Sequence, residues 1–254
     1  MVIISLSMKT TKNTQVKSQN NTLKKAGKVV ALAMALLVLI FALFLLLAPM
    51  KASNFFGTIG FKNWSVSMAY SAAEDSESFD DWWSVFEKAV DADDYKIVCI
   101  ASTKLQNHSD FETAIKDKTA KVNKVDQNGR YYLYYQHARC SLLESPEKID
   151  EIWGWCEIRH DQHGWSTSLG NDKYSLNAVK GFIDAAIADV NIPVDKVLVK
   201  LEKIYKKVGY FDDMTSSSKR KDFITCVKEL VDARHDVISQ QTKDLWQGYY
   251  DNIF

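Results

Sequence analysis

The longest apolar stretch in the chain runs from Val29 to Met50, 22 residues without a charge. At 1.5 Å per helical residue it extends about 33 Å, enough to cross a hydrocarbon core of about 30 Å. A secretory signal has a shorter apolar region, about 7 to 15 residues, followed by small residues at the cut. Here the nearest candidate cut, after Ala52, leaves Met50 where a small residue belongs, and Pro49 and Lys51 close the run. The pattern predicts an uncleaved transmembrane helix over residues 29–50, with a cleaved signal as the alternative.

Past residue 50 the apolar positions recur every three or four residues, the period of a helix with one buried face. In "NAVKGFIDAAIADV" the stripe is Ala178, Phe182, Ala185 and Val190, joined by Val179, Ile183 and Ala186. Pro193 suits the first turn of a following helix, "PVDKVLVKLEKIYKKV", with Val197, Leu201, Ile204 and Val208 on its packed side. Shorter segments of the same kind begin at Asn63, Ser78, Asp94, Gly129 and Glu147, each ending in a polar or acidic break. Ser76 or Ser78 can cap the second of these, and Pro146 sits where a first helical turn accepts it. The last stretch, from Ser216, reads as one long helix packing Phe223, Val227, Leu230, Val237 and Leu245. Residues 113 to 128 fit either an extra helix or a linker. With three prolines and ten glycines in 254 residues, too few for the turns of an all-β domain, the fold class predicted is all-α.

Residues 79 to 112 resemble a tetratricopeptide repeat. Trp82 stands at the aromatic position of the first helix, Val85 and Ala89 at its packing positions, and Asp94-Tyr95 at the turn. Val98, Ser102 and Leu105 take the small or apolar sites of the second helix, while Phe86 replaces a usual glycine and no proline closes the unit. A fainter echo spans "IGFKNWSVSMAYSAA", with Gly60-Phe61 as the turn and Ser65 and Ala72 as small positions. The resemblance implies an antiparallel array of helical hairpins, an α-solenoid, whose grooves bind protein partners.

Charge sets the expected orientation. Six lysines and no acid precede the apolar run, leaving 26 basic residues against all 32 acids beyond it, a net charge of −6 there. Basic flanks stay cytoplasmic. Residues 1–28 are therefore expected as a disordered cytoplasmic tail and 51–254 as an extracytoplasmic domain of a single-pass cell-membrane protein. An acidic domain with its only basic cluster next to a membrane argues against nucleic acid as a partner.

No glycine-rich phosphate loop, G-x-S-x-G elbow or H-E-x-x-H motif occurs in the chain, so the residues name no reaction and no cofactor is expected. Cys156, His160 and His163, at spacings of four and three, would share one face of a continuing helix, where a thiolate and two imidazoles can bind zinc. The plainer reading is a packed cysteine followed by a solvated helix end. Cys99, Cys140, Cys156 and Cys226 all have apolar neighbours and read as packed thiols, with Cys140–Cys156 as the disulfide to test. The acceptor triplets at Asn63 and Asn107 matter only in a host that glycosylates.

Tyrosine and tryptophan combine apolar area with a polar handle, which suits a recognition groove. Trp82 and Trp153 are assigned to packing, and Trp83, Tyr131, Tyr132 and Trp155 are the groove candidates. The expectation is a membrane-anchored scaffold without evident catalysis, held in lipid by residues 29–50 and binding a protein partner in the membrane or envelope. The alternative is an extracytoplasmic metal-binding protein or enzyme centred on Cys156, His160 and His163.

Overall fold

A computed structural model describes residues 28–76, 78–122, 125–159, 177–206 and 217–253. The basic tail ahead of Lys28 lies outside the described residues. Helix α1 covers Lys28–Leu47, 20 residues of mean hydropathy 3.2, and no part of it is buried within the protein. By length and composition it can cross a membrane. The helix ends three residues before the predicted limit at Met50. Pro49 has no N–H to donate and its ring clashes with the preceding turn, so Ala48 leaves the helical region at φ −142° and ψ 58°.

From Pro49 the chain starts α2, Pro49–Thr58, which turns back beside the end of α1. Phe41 meets Phe56 edge-on at 6.3 Å between ring centroids, and Phe44 meets Phe55 at 6.5 Å. Gly60, at φ +88°, makes the turn into α3, Lys62–Glu74. The two helices close on small residues. Ser53 Oγ donates to Ser65 O at 2.6 Å and Ser65 Oγ to Ser53 O at 2.8 Å, so both buried hydroxyls are satisfied.

Helices α4, Phe79–Asp91, and α5, Tyr95–Gln106, form the next pair. Asp80 and Asp81 in the first turn of α4 and Lys88 in its last complement the helix dipole. Asp93, at φ +52°, occupies the left-handed conformation that aspartate tolerates, and the Asp94 carboxylate caps α5 by accepting from Ile97 N. Trp82, Val85, Ala89, Val98, Ser102 and Leu105 are all buried.

Residues 113–128, predicted as a helix or a linker, are neither alone. A single turn, α6 (Phe111–Ala114), passes through a 3-10 turn into strands β1, Thr119–Val122, and β2, Val125–Asn128, paired antiparallel with Thr119 opposite Asn128. The all-α expectation holds for the bulk of the described residues and misses this hairpin. At its base Gly129 N donates to Lys118 O at 2.7 Å, and a Cβ on Gly129 would stand 2.6 Å from that oxygen, so the close approach requires glycine.

Helix α7, Gly129–Glu144, is capped by Asn128, which accepts from Arg130 N. It packs between α5 and α9, Asn177–Ala188, and a 3-10 turn at Pro146–Lys148 leads from it into α8, Ile149–Arg159. Pro146 opens that turn, as its missing N–H allows. Helices α7 and α9 approach backbone to backbone at Gly181, where a Cβ would lie 2.2 Å from Tyr135 O and 3.2 Å from Arg139 N. Tyr135 OH adds a hydrogen bond to Asp184 Oδ2 at 2.7 Å. Val190, expected on the buried stripe of α9, is 76% exposed because the helix stops at Ala188 and the chain turns toward Pro193. Helix α10, Val194–Lys206, buries Val197, Leu201 and Ile204 as the pattern requires, while Val208 lies outside the described residues.

The predicted long terminal helix is instead two, α11 (Ser217–Ala233) and α12 (Gln240–Asp251), with Ser239 capping the second through Thr242 N. The break changes the helical phase. Val237 and Leu245 become exposed and Ile238 and Trp246 are buried in their place. At the break Arg234 is buried, and its guanidinium donates to Ala186 O, Asp189 O, Val190 O and Ile192 O. These carbonyls belong to the end of α9 and the loop after it, where a helix terminus runs out of backbone donors; Asp189 O also accepts a loop bond from Ile192 N. One hydrophobic cluster extends from Val66 in α3 to Trp246 in α12.

Two substitutions test these joints in the full-length chain. Gly181→Ala should lower stability by about 1–3 kcal/mol through overpacking, although alanine favours helix. Arg234→Met should cost about 3 kcal/mol by stranding buried carbonyls, with Arg234→Lys only partly restoring it because an ammonium lacks the planar fork. Denaturant unfolding followed by tryptophan fluorescence measures both.

Candidate functional site

The four groove candidates divide. Trp83 lies in the core at 5% exposure, its ring 5.3 Å from that of Phe86, and its indole serves Glu87, so it lines no groove. Tyr132 is half-buried on the other side of Phe86 at 5.8 Å and packs against the same core. Burial raises its hydroxyl pKa. These two rings tie α4 to α7 through Phe86. Sequence periodicity marks an aromatic as packed or exposed only when its helix has one neighbour, and α7 has several.

Tyr131 and Trp155 keep accessible surface, both half-buried. Trp155 packs edge-on against Tyr134 at 5.7 Å and lies over the His137 ring at 4.3 Å. Tyr131 stands one turn before Tyr134 on α7, so the two remaining candidates border one strip of that helix. His137 Nδ1 in turn bonds Ser102 Oγ at 2.6 Å, which links α8, α7 and α5 by side chains. The sequence marks Ser102 only as a small packing position and gives no sign of His137, because nothing along the chain ties residues 35 apart. Ser102 is fully buried, so the pair braces helices and offers no nucleophile to a substrate.

Cys156 has no exposed surface and its thiol donates to Ala178 O at 3.7 Å across the α8–α9 contact. Burial pushes its pKa well above the usual thiol range, opposite to the shift a metal ligand or nucleophile needs. His160 and His163, its proposed partners, lie outside the described residues. Among the described residues no group of three or more His, Cys, Asp or Glu side chains is arranged to hold a metal ion. The four cysteines are free thiols. Cys140, expected beside Cys156, neighbours Cys99 electrostatically and is buried, with its pKa pushed up to about 12. Burial likewise raises Cys99, and takes Cys226 up to about 11.

Two surface cavities add to the inventory. One, of about 200 Å³, opens between α11 and α12 over Val231 and Trp246, rimmed by Lys228, Asp232, Lys243 and Asp244. The other, about 310 Å³, lies among α2, α3 and α4 and is lined by Ser65, Ser84, Lys62, Glu87, Lys88 and Asp91. There burial raises the Glu87 carboxyl against the pull of the Trp83 hydrogen bond and lowers the Lys88 ammonium. Asn63 and Asn107 are both exposed. The first cavity sets a mixed-charge rim around a small apolar floor, whereas the second is lined by polar and charged side chains throughout.

No family model matches the chain, and neither the curated proteins nor the solved structures compared with it contain a match.

The burial of the thiols has a direct test. Iodoacetamide at mildly alkaline pH should leave Cys140 and Cys156 unmodified in the native full-length protein and alkylate all four cysteines in denaturant, as peptide mass spectrometry will show. Because the fold favours the protonated thiols, their contribution to stability is complete below the ordinary thiol pKa. It should decline as pH rises toward about 11 at Cys226 and about 12 at Cys140.

Proposed function

We propose that this chain is a single-pass membrane protein with a cytoplasmic N-terminus, whose helical domain stands outside the cytoplasm as an interaction scaffold of tetratricopeptide-like kind. The observation that carries the anchoring is that α1 has no buried residue, although the domain beside it has a core of its own. An apolar helix of this length left in water forfeits roughly 1.5–3 kcal/mol for each large side chain, which insertion in lipid recovers. The orientation rests on the lysines that precede α1.

The scaffold reading is supported by the α4–α5 pair. Every packing position of the tetratricopeptide resemblance in it is buried, from Trp82 at 6% to Leu105 at 0% exposure, and Asp94 caps the second helix at the expected turn. Helices α2 to α5 also pack each on the next, and α5 on α7, the neighbour order of stacked hairpins. The partner in this reading is a membrane or envelope protein, received along the α7 strip bordered by Tyr131 and Trp155, where half-buried aromatics can serve as anchors.

Crosslinking of the tagged full-length chain in its own membranes, followed by mass spectrometry, tests the scaffold. A discrete partner should be recovered and should be lost with Tyr131→Ala and Trp155→Ala together, at unchanged helical content. Recovery of no reproducible partner would count against the reading. Protease added to intact cells with the envelope opened should digest the domain and spare a tag at the N-terminus; the reverse pattern would invert the orientation.

A further inference from the structure

We propose that the turn between α2 and α3, carrying Phe55, Ile59, Phe61 and Trp64, is embedded in the same bilayer leaflet as the end of α1, so that the protein enters the membrane with a second, interfacial element. The inference rests on the reading of α1 as a bilayer span.

The four side chains are between 46% and 59% exposed, a contiguous apolar surface on an otherwise well-packed domain. Phe56 is buried at its centre, with ring contacts to Phe55, Phe61 and Trp64 and, on α1, to Phe41. Those contacts fix depth. Phe41 precedes the last residue of α1 by six positions, about 9 Å along the helix axis. A ring touching Phe41 therefore lies below the level at which α1 leaves the hydrocarbon, within the roughly 5–10 Å that interfacial helices penetrate. The patch is continuous with a surface already assigned to lipid, which selects lipid over a partner protein as its cover.

Charge agrees with this placement. No acidic residue occurs before Glu74, so α2 and α3 are free of carboxylates up to the last position of α3. Two lysines are present, Lys51 and Lys62. Lys62 turns its ammonium to the domain, donating to Asp91 O at 2.8 Å and pairing with the Asp91 carboxylate at 3.2 Å. Lysine is the charged residue best tolerated at an interface, because its stem lets the head reach water, and tryptophan is enriched at that level. The polar groups between the two helices are satisfied internally by the reciprocal Ser53–Ser65 bonds. A Cβ on Gly57 would meet Ser65 Oγ at 3.1 Å, and small residues facing one another in this way characterise helix pairs in lipid.

The experiment places a photoreactive benzophenone amino acid, one site at a time, at Leu39, Phe61, Trp64 and Lys243 of the full-length chain reconstituted in phosphatidylcholine vesicles. Irradiation is followed by mass spectrometry for lipid adducts. Lipid adducts are expected at Leu39, Phe61 and Trp64 and none at Lys243. Adducts at Leu39 without any at Phe61 and Trp64 would overturn the interfacial element and leave the span standing. Absence of adducts at Leu39 would remove the span and the inference with it. Lipid adducts at Lys243 as well would show nonspecific adsorption and overturn the inference too.

Discussion

The approach of α7 to α9 at Gly181 is the contact on which the rest of the domain depends. With no Cβ in the way, the backbone of α9 meets the Tyr135 carbonyl of α7 directly, and the buried Ala178 and Ala185, three residues before and four after, lie on the same face of the helix. That proximity lets α7 act as the central post. On one side it carries α5 through the Ser102–His137 bond, and on another it meets α8 where Trp155 lies over His137. A wider crossing would leave voids beside Leu133 and Phe182, both fully buried, and packed interiors tolerate voids poorly.

The C-terminal helices fasten this arrangement through one cation. Arg234 gives its planar donors to four carbonyls, Ala186 O at the end of α9 and three in the loop after it, of which those of Ala186 and Ile192 are buried. A positive group there also complements the helix dipole. The break between α11 and α12 falls where Arg234 turns inward, so the end of one helix and the start of another are fixed by a residue some 45 positions from the atoms it serves. At the opposite end of the domain Pro49 performs the corresponding division, ending α1 and sending α2 back along it.

Much of the helical layout was legible because a buried face imposes a local period. The stripes of α4, α5, α9 and α10 follow it almost residue for residue, and the turn at Asp94-Tyr95 and the proline at 146 use signals a few residues long. The hairpin at 119–128 was harder to see. Its strands are four residues each, too short for alternation to stand out, although Thr119, Val122 and Val125 favour a strand. Trp83 eluded the pattern for another reason. It sits on α4, which packs against both α3 and α5, and a residue off the main stripe of such a helix is still covered.

By itself the sequence determined that a helix long enough to span a membrane stands ahead of a helical domain. Length, apolarity and the 3.6-residue period are properties of consecutive residues and need no partner. The tertiary structure alone decided which aromatics stay at the surface, where the last helix breaks, what Arg234 and Ser102 bind, and that Phe55 and Phe56 fold back on α1. Each of these depends on groups brought together across the fold, and distances of that kind leave no trace in the spacing of residues along the chain.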